Sequence, residues 1–176
     1  MTKKVLVTER LAEAGLAVLR DKGCEVDVKL KMTPEELIET VPGYDALIVR
    51  SATKVTAEVV EAADRLRIIG RAGVGVDNVD LEAAKRHGVQ VVNAAGLNAN
   101  AVAELGVAMI LNCLRSIPQL NQKLDQGEWA RAVGKEILGK TVGILGFGDI
   151  GGRVAKKLSG MGVELLAYDP YPNEAK

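Results

Sequence analysis

Aromatic side chains are almost missing from this chain: one Phe, three Tyr and one Trp among 176 residues. Any core it builds is therefore aliphatic. The same shortage argues against a flavin site, which draws on aromatics in the loops after strands. Histidine occurs once, at position 87, and cysteine twice, at 24 and 113. Neither their number nor their spacing suits a metal centre, and no metal ligand is assigned. Both cysteines sit in apolar patterns and read as reduced core thiols of a cytoplasmic protein. An excess of charge is absent too. Lys+Arg and Asp+Glu are each 23, so neither nucleic acid nor an anionic membrane is an expected partner. No stretch approaches the ~18 uninterrupted apolar residues of a membrane span. The opening Met1-Thr2-Lys3-Lys4 runs straight into a strand-length apolar segment, too short for a secretory signal.

What the chain does have is glycine in an ordered place. Thr141 to Leu145 is a short apolar strand, and Gly146, Gly148 and Gly151 follow it at G-x-G-x-x-G spacing. A helical pattern comes next, with Ile150, Val154 and Leu158 read as one face. A second strand, Val163 to Tyr168, ends at Asp169, 18 positions after Gly151. Strand, glycine turn, helix and terminal acid in this order are the dinucleotide fingerprint in its required context. Gly146 permits the tight turn, Gly148 lets a pyrophosphate approach the backbone, and Gly151 lets the helix lie close to the strand. The free N–H groups of Asp149, Ile150 and their neighbours at the helix start favour phosphate. Asp169 suits ribose hydroxyls and repels a 2′-phosphate, so the cofactor expected is NAD rather than NADP. Asp149 departs from the Arg, His or Asn familiar at that point; its carboxylate must turn away from a pyrophosphate.

Upstream, strands and helices alternate. Strands are read at Lys4 to Thr8, Glu25 to Leu30, Ala46 to Val49, Leu66 to Gly70 and Val89 to Asn93. Helices are read between them, starting near Leu11, Thr33, Thr56 and Leu81. Thr33-Pro34-Glu35-Glu36 is a strong helix start, with a cap, a Pro at the first position and acids in the first turn. This alternation predicts an α/β fold with a parallel, doubly wound, flavodoxin-like sheet over residues 1–96. A long amphipathic helix follows from Asn98 to Ser116, capped by Asn98 or Asn100, and Pro118 marks a break. The second unit, residues 97–176, thus holds a linker helix and the first βαβ of a Rossmann domain. A full domain of that kind has about six strands, so only its first half is expected here.

Two loops are candidates for substrate binding because ligands of open α/β sheets sit at the carboxyl ends of strands. Arg50 and Ser51 close the third strand, where an Arg can grip a carboxylate or phosphate bidentately. Arg71 to Gly75 follow the fourth, and Gly73 and Gly75 could form an anion-binding nest. Asn98 is either a plain helix cap or part of a pocket rim. A phospho-acceptor domain would want an Asp where Arg50 stands. His87, in the last turn of a helix before Gly88, reads as structural.

Several runs carry a family resemblance. They are Leu47-Ile-Val-Arg-Ser-Ala-Thr-Lys-Val-Thr56, Ile69-Gly-Arg-Ala-Gly-Val-Gly-Val-Asp-Asn-Val-Asp-Leu81, the helix start from Asn98 to Glu104, Gly127-Glu128-Trp129 and Gly146-Phe-Gly-Asp-Ile-Gly151. Over essentially its whole length the chain resembles the D-2-hydroxyacid dehydrogenase family, and within it the members that oxidise phosphoglycerate. The resemblance implies NAD-dependent oxidation of 3-phospho-D-glycerate to 3-phosphohydroxypyruvate, the entry to serine biosynthesis. It implies that Arg50, Ser51, Arg71, Gly73, Val74, Gly75 and Asn98 border the substrate. Val74 would lie near the nicotinamide, and Gly146, Gly148, Asp149, Ile150, Gly151 and Asp169 would hold the rest of NAD. It also implies a homodimer through residues 98–130, with Trp129 at the interface. The family's acid–base His, its Glu partner and its substrate-polarising Arg have no match here. No catalytic residue is therefore assigned, and the chain by itself is expected to be inactive.

Overall fold

Runs of four aliphatic residues cannot stand alone in water; they pair into a sheet and are covered on the faces they expose. The computed structural model of the protein describes residues 2–172 and divides the chain after Ala95 into two units.

In the first unit the elements alternate strictly: β1 (Lys4–Val7), α1 (Glu13–Asp21), β2 (Glu25–Val28), α2 (Pro34–Thr40), β3 (Ala46–Val49), α3 (Ala57–Ala62), β4 (Ile68–Arg71), α4 (Leu81–Arg86) and β5 (Gln90–Asn93). All the strands are parallel, in the order β2-β1-β3-β4-β5, which is the flavodoxin-like arrangement. Successive residues of a strand point to opposite faces. Leu6, Leu47, Val49 and Ile69 therefore face one way, onto Leu37, Val59, Val60 and Ala83 of α2, α3 and α4. Val5 and Val7 face the other way, onto Leu16 of α1, with Ala46 and Ile48 half-buried beside them. Thr33 starts α2 with a reciprocal capping box: its hydroxyl accepts the Glu36 N–H, and the Glu36 carboxylate accepts the Thr33 N–H. Thr56 occupies the equivalent place before α3, yet its side chain accepts no helix N–H.

At the amino edge of this sheet Asp45 is almost fully buried. It accepts from Lys3 Nζ at 2.8 Å, the Lys4 N–H at 3.0 Å and Arg65 Nη2 at 3.3 Å. On the edge strand, the Tyr44 hydroxyl donates to Asp27 at 2.7 Å. Burial and that carboxylate push the Tyr44 phenol up to about 12.

The second unit holds α5 (Ala99–Arg115), α6 (Ile117–Asp125), β6 (Thr141–Leu145), α7 (Asp149–Leu158), a 3-10 turn (Ser159–Met161) and β7 (Glu164–Tyr168). β6 and β7 pair in parallel from Thr141↔Glu164 to Leu145↔Tyr168, so α7 is the crossover of a βαβ unit. α5 and α6 meet at 69°. The break falls at Ser116, which adopts a left-handed backbone (φ 51°), with Pro118 in the first turn of the next helix. Among the described residues no single helix is long and apolar enough to cross a membrane.

Three readings from sequence need correction here. The buried face of α7 is Gly151, Ala155 and Leu158; of the stripe expected, Leu158 is buried, Val154 is half-buried and Ile150 is 43% exposed. At its start the helix lies so close to the end of β6 that a Cβ on Gly151 would meet the Gly146 carbonyl oxygen. Cys113 is exposed rather than a core thiol, because α5 buries Ala99, Ala103 and Val107 instead. Neither Asn98 nor Asn100 caps α5. Asn98 has φ −99° and ψ 1°, outside the extended region that aims a cap side chain at the helix N–H groups. Asn100 reaches forward to Glu104 instead.

The Asp45 contacts generate a pH prediction. Hydrogen bonds from Lys3 and the Lys4 N–H lower its pKa from 3.8 to about 2. A depressed carboxylate stabilises the fold above its unfolded pKa, and that contribution is lost as pH falls through the folded value. The first unit should therefore lose stability between about pH 4 and pH 2. Asp45→Asn should lower the thermal midpoint at pH 7 and flatten that acid limb. Calorimetric melting of both proteins across this range checks it.

Candidate functional site

In a sheet of order 2-1-3-4-5 the connections leave in opposite directions from β1 and β3, and a crevice opens between their carboxyl ends. A cleft of about 400 Å³ lies there, lined by Thr8, Glu9 and Arg10 after β1 and by Arg50, Ala52 and Thr53 after β3. Leu30, Lys31 and Met32, after β2, complete it. Three cations, Arg10, Lys31 and Arg50, thus share one cleft. Among the described residues the other charge on its walls is Glu9, whose carboxylate accepts the N–H groups of Arg50 (2.8 Å), Thr53 (3.0 Å) and Ala52 (3.2 Å). Burial raises the Glu9 pKa, but the Thr53, Arg50 and Ala52 N–H bonds outweigh it and leave the group below its ordinary value. From the other side Asn78 donates to the Arg50 carbonyl at 2.8 Å and the Thr53 carbonyl at 2.6 Å. The Thr8 and Thr53 hydroxyls are 2.9 Å apart. Arg50 and Ser51 are exposed on this braced loop.

The turn after β4 differs from the nest expected. The Gly73 N–H is taken by the Arg71 carbonyl at 2.8 Å. Neither Gly73 nor Gly75 adopts a left-handed backbone, which a nest requires. Among the described residues the Val74 and Gly75 N–H groups have no protein acceptor, so two donors remain rather than a cradle. Gly73 has a different steric role. The Arg71 guanidinium folds back over it, and a Cβ there would meet Arg71 Nη1 at 1.8 Å. Arg71 Nε is buried with no partner, an unsatisfied donor at the carboxyl end of β4. Val74 is 44% exposed, and its carbonyl accepts from Asn93.

In the second unit the glycines differ in kind. Gly146 ends β6 with φ 92°, a conformation strained for any side chain. A Cβ on Gly151 would meet the Gly146 carbonyl oxygen at 2.1 Å, so α7 can approach β6 only through a glycine. At Gly148, the residue before α7, a Cβ would meet nothing within 4 Å. That glycine leaves open space against the helix N-terminus, where N–H groups lack helix acceptors. Asp169 points into this junction: Oδ2 accepts the Phe147 N–H at 2.6 Å and Oδ1 the Tyr171 N–H at 2.9 Å. Asp149 Oδ1 pairs with Arg153 Nε at 3.2 Å, which offsets the repulsion its charge would bring to a phosphate. Asn98 precedes α5 with an exposed side chain and makes no cap bond. His87 caps the carboxyl end of α4 through its N–H to Ala83.

Sequence reasoning missed Glu9, Asn78, Arg10 and Lys31. Glu9 and Arg10 had one available signal, since they directly follow the strand at the switch point. Lys31 carried none; its φ of 60° appears only in the structure.

Residues 5–166 match the family described as D-isomer specific 2-hydroxyacid dehydrogenase, catalytic domain. The chain is 47% identical to a D-3-phosphoglycerate dehydrogenase of Archaeoglobus fulgidus, over 98% of this chain and 33% of that protein. It is 45% identical to the human D-3-phosphoglycerate dehydrogenase, over 96% of this chain and 32% of that protein. Among solved structures it is similar to the TT0316 protein of Thermus thermophilus, with a TM-score of 0.90 and 33% identity, covering 97% of this chain and 57% of that one. A NAD+-bound 3-phosphoglycerate dehydrogenase of Entamoeba histolytica matches with a TM-score of 0.79 and 32% identity, covering 99% and 56%. The chain thus spans about a third of the curated relatives and little over half of the solved chains.

The two glycine environments predict opposite behaviour. Gly151→Ala forces a Cβ against backbone that cannot yield, and should cost the second unit at least the ~1–3 kcal/mol of an overpacked core. Gly148→Ala should change stability by no more than ~0.5 kcal/mol, as for an unconstrained surface position. Urea denaturation followed by circular dichroism separates the two.

Proposed function

The chain belongs to the D-isomer specific 2-hydroxyacid dehydrogenase family, and from that premise we propose that it is part of an NAD-dependent enzyme oxidising 3-phospho-D-glycerate to 3-phosphohydroxypyruvate. Residues 1–96 are read as the substrate domain and residues 97–176 as part of the NAD-binding domain. The observation that carries the choice of substrate is the set of three cations around one cleft, Arg10, Lys31 and Arg50. A small hydroxy acid with a single carboxylate needs one such partner, whereas a phosphorylated one brings about 1.5 to 2 further negative charges at neutral pH. Arg50 presents a planar fork suited to phosphate or carboxylate. Arg71 with the Val74 and Gly75 N–H groups offers a second anionic subsite, and Ser51 and Asn98 are assigned to the rim of the substrate site.

The second unit suits NAD. Gly148 leaves room for a pyrophosphate against the start of α7, and the N–H groups of Asp149, Ile150 and Gly151 stand beside it. Asp169 has two lone-pair positions committed to Phe147 and Tyr171, and a carboxylate has about four. The remainder can accept from ribose hydroxyls, and its charge disfavours a 2′-phosphate. Bound NAD would supply the acceptor for the C2 hydride, and a base would take the 2-hydroxyl proton. Val74 is assigned to the nicotinamide side. The chain's own residues bind and orient; none of them is assigned as that base.

Self-association has its own support. Leu105 and Met109 of α5, Ile117 and Leu124 of α6, and Trp129 are exposed apolar side chains within residues 98–130. A patch of this kind marks an interaction surface, and a homodimer is the reading preferred here.

Two measurements test these statements. Titration calorimetry should detect NAD binding by the 176-residue chain, lost in Asp169→Ala, while no phosphoglycerate-dependent NADH forms; absence of NAD binding would point to a binding module that has shed its cofactor. Sedimentation velocity at micromolar concentration should show a dimer that Trp129→Ala weakens at least tenfold, and a monomer would refute the interface.

A further inference from the structure

An anion-binding cleft that contains a carboxylate poses a question: Glu9 sits among Arg10, Lys31 and Arg50 and, by charge alone, should oppose any phosphate that enters. Its hydrogen bonds suggest why it is there. The parallel ladder between β3 and its neighbours ends at Val49, and the next N–H groups have no strand to pair with. Glu9, arriving from β1 more than forty residues away in sequence, accepts three of them on one carboxylate: Arg50, Ala52 and Thr53. Asn78, arriving from the segment before α4, holds the carbonyls of Arg50 and Thr53. Both backbone groups of Arg50 are thus fixed by side chains from two other parts of the unit, while its guanidinium stays exposed, with one bond at 3.4 Å to the Arg10 carbonyl.

We propose that Glu9 is a positioning residue for substrate binding: it clamps the loop of residues 50–53 so that Arg50 faces the cleft in one orientation. This rests on the reading that the cleft takes phosphoglycerate. The clamp explains the charge. A carboxylate engaged by three N–H groups is partly neutralised, and its remaining field is outnumbered by three cations. A glutamine of the same size could keep at most the Arg50 and Thr53 bonds, which share one oxygen, because its amide nitrogen is a donor and would face the Ala52 N–H. Aspartate keeps the charge but lacks the reach to bridge Arg50 and Ala52 together.

The test uses the 176-residue chain with Glu9→Gln and Glu9→Asp, and Asp45→Asn as a control. Asp45 also accepts a backbone N–H, but at the opposite edge of the sheet. Titration with 3-phospho-D-glycerate should show affinity reduced about tenfold or more in Glu9→Gln and less in Glu9→Asp, roughly the effect of leaving one or two N–H bonds unmade. Asp45→Asn should lose stability but not affinity, and NAD affinity should be unchanged in all three. By NMR, amide exchange at Arg50, Ala52 and Thr53 should accelerate in both Glu9 variants and not in Asp45→Asn. Equal affinity in wild type and Glu9→Gln would overturn the proposal, as would unchanged exchange at the three amides. Failure of the wild type to bind phosphoglycerate would instead overturn the substrate reading, and the clamp itself would then stand or fall on the exchange data.

Discussion

Every parallel strand stops somewhere, and the N–H groups just past its last ladder bond need an acceptor. That constraint shapes both candidate sites. In the first unit the orphan donors follow β3, and Glu9, just beyond β1, takes them. In the second they follow β6, and Asp169, just beyond β7, takes the Phe147 N–H. The arrangement is the same twice over: a carboxylate at the tip of one strand braces the loop that leaves its neighbour. An acid so held is fixed in place, and the loop it braces presents its own side chains and remaining N–H groups outward. Loops that bind need such bracing, because an unsupported loop would lose conformational freedom on meeting a ligand.

The two units differ in how they treat their exposed apolar surface. The five-stranded sheet buries Leu6, Leu47, Val49 and Ile69 under three helices. In the two-stranded sheet Ile144 is buried, but Leu145 is 88% exposed and Leu166 57%. A strand reading Thr-Val-Gly-Ile-Leu is composed as parallel strands covered on both faces are. Composition and burial therefore disagree at β6, and they disagree in a chain that matches about a third of its curated relatives' length. In the first unit they agree on the central strands β1, β3 and β4.

How far the letters alone lead depends on the range of the interaction that decides each feature. Strand and helix identities were legible because they rest on local pattern. Ala46–Val49, Leu81–Arg86 and Thr141–Leu145 fall where the hydrophobic runs and stop signals place them. Thr33 was legible as a cap because its partner is three residues away. Asn98 was misread because capping depends on a backbone angle that no residue name reveals. The nest at Gly73 and Gly75 failed for the same reason: glycine permits a left-handed backbone but does not require it, and neither residue uses one. The helical stripe on α7 was misplaced in its first turn because hydrophobicity alone ranks Ile150 above Gly151. Close approach to the Gly146 carbonyl reverses that ranking.

By itself the sequence determined the α/β class, the parallel order of elements and the glycine junction with its acid. Each is set by periodicity, by the absence of a Cβ or by a short spacing along the chain. Only the tertiary structure decided that Glu9, Lys31, Arg50 and Asn78 converge on one loop and cleft. Those residues are brought together from four segments by strand pairing and crossovers, and that convergence depends on contacts more than twenty residues apart, which leave no periodic trace in the letters.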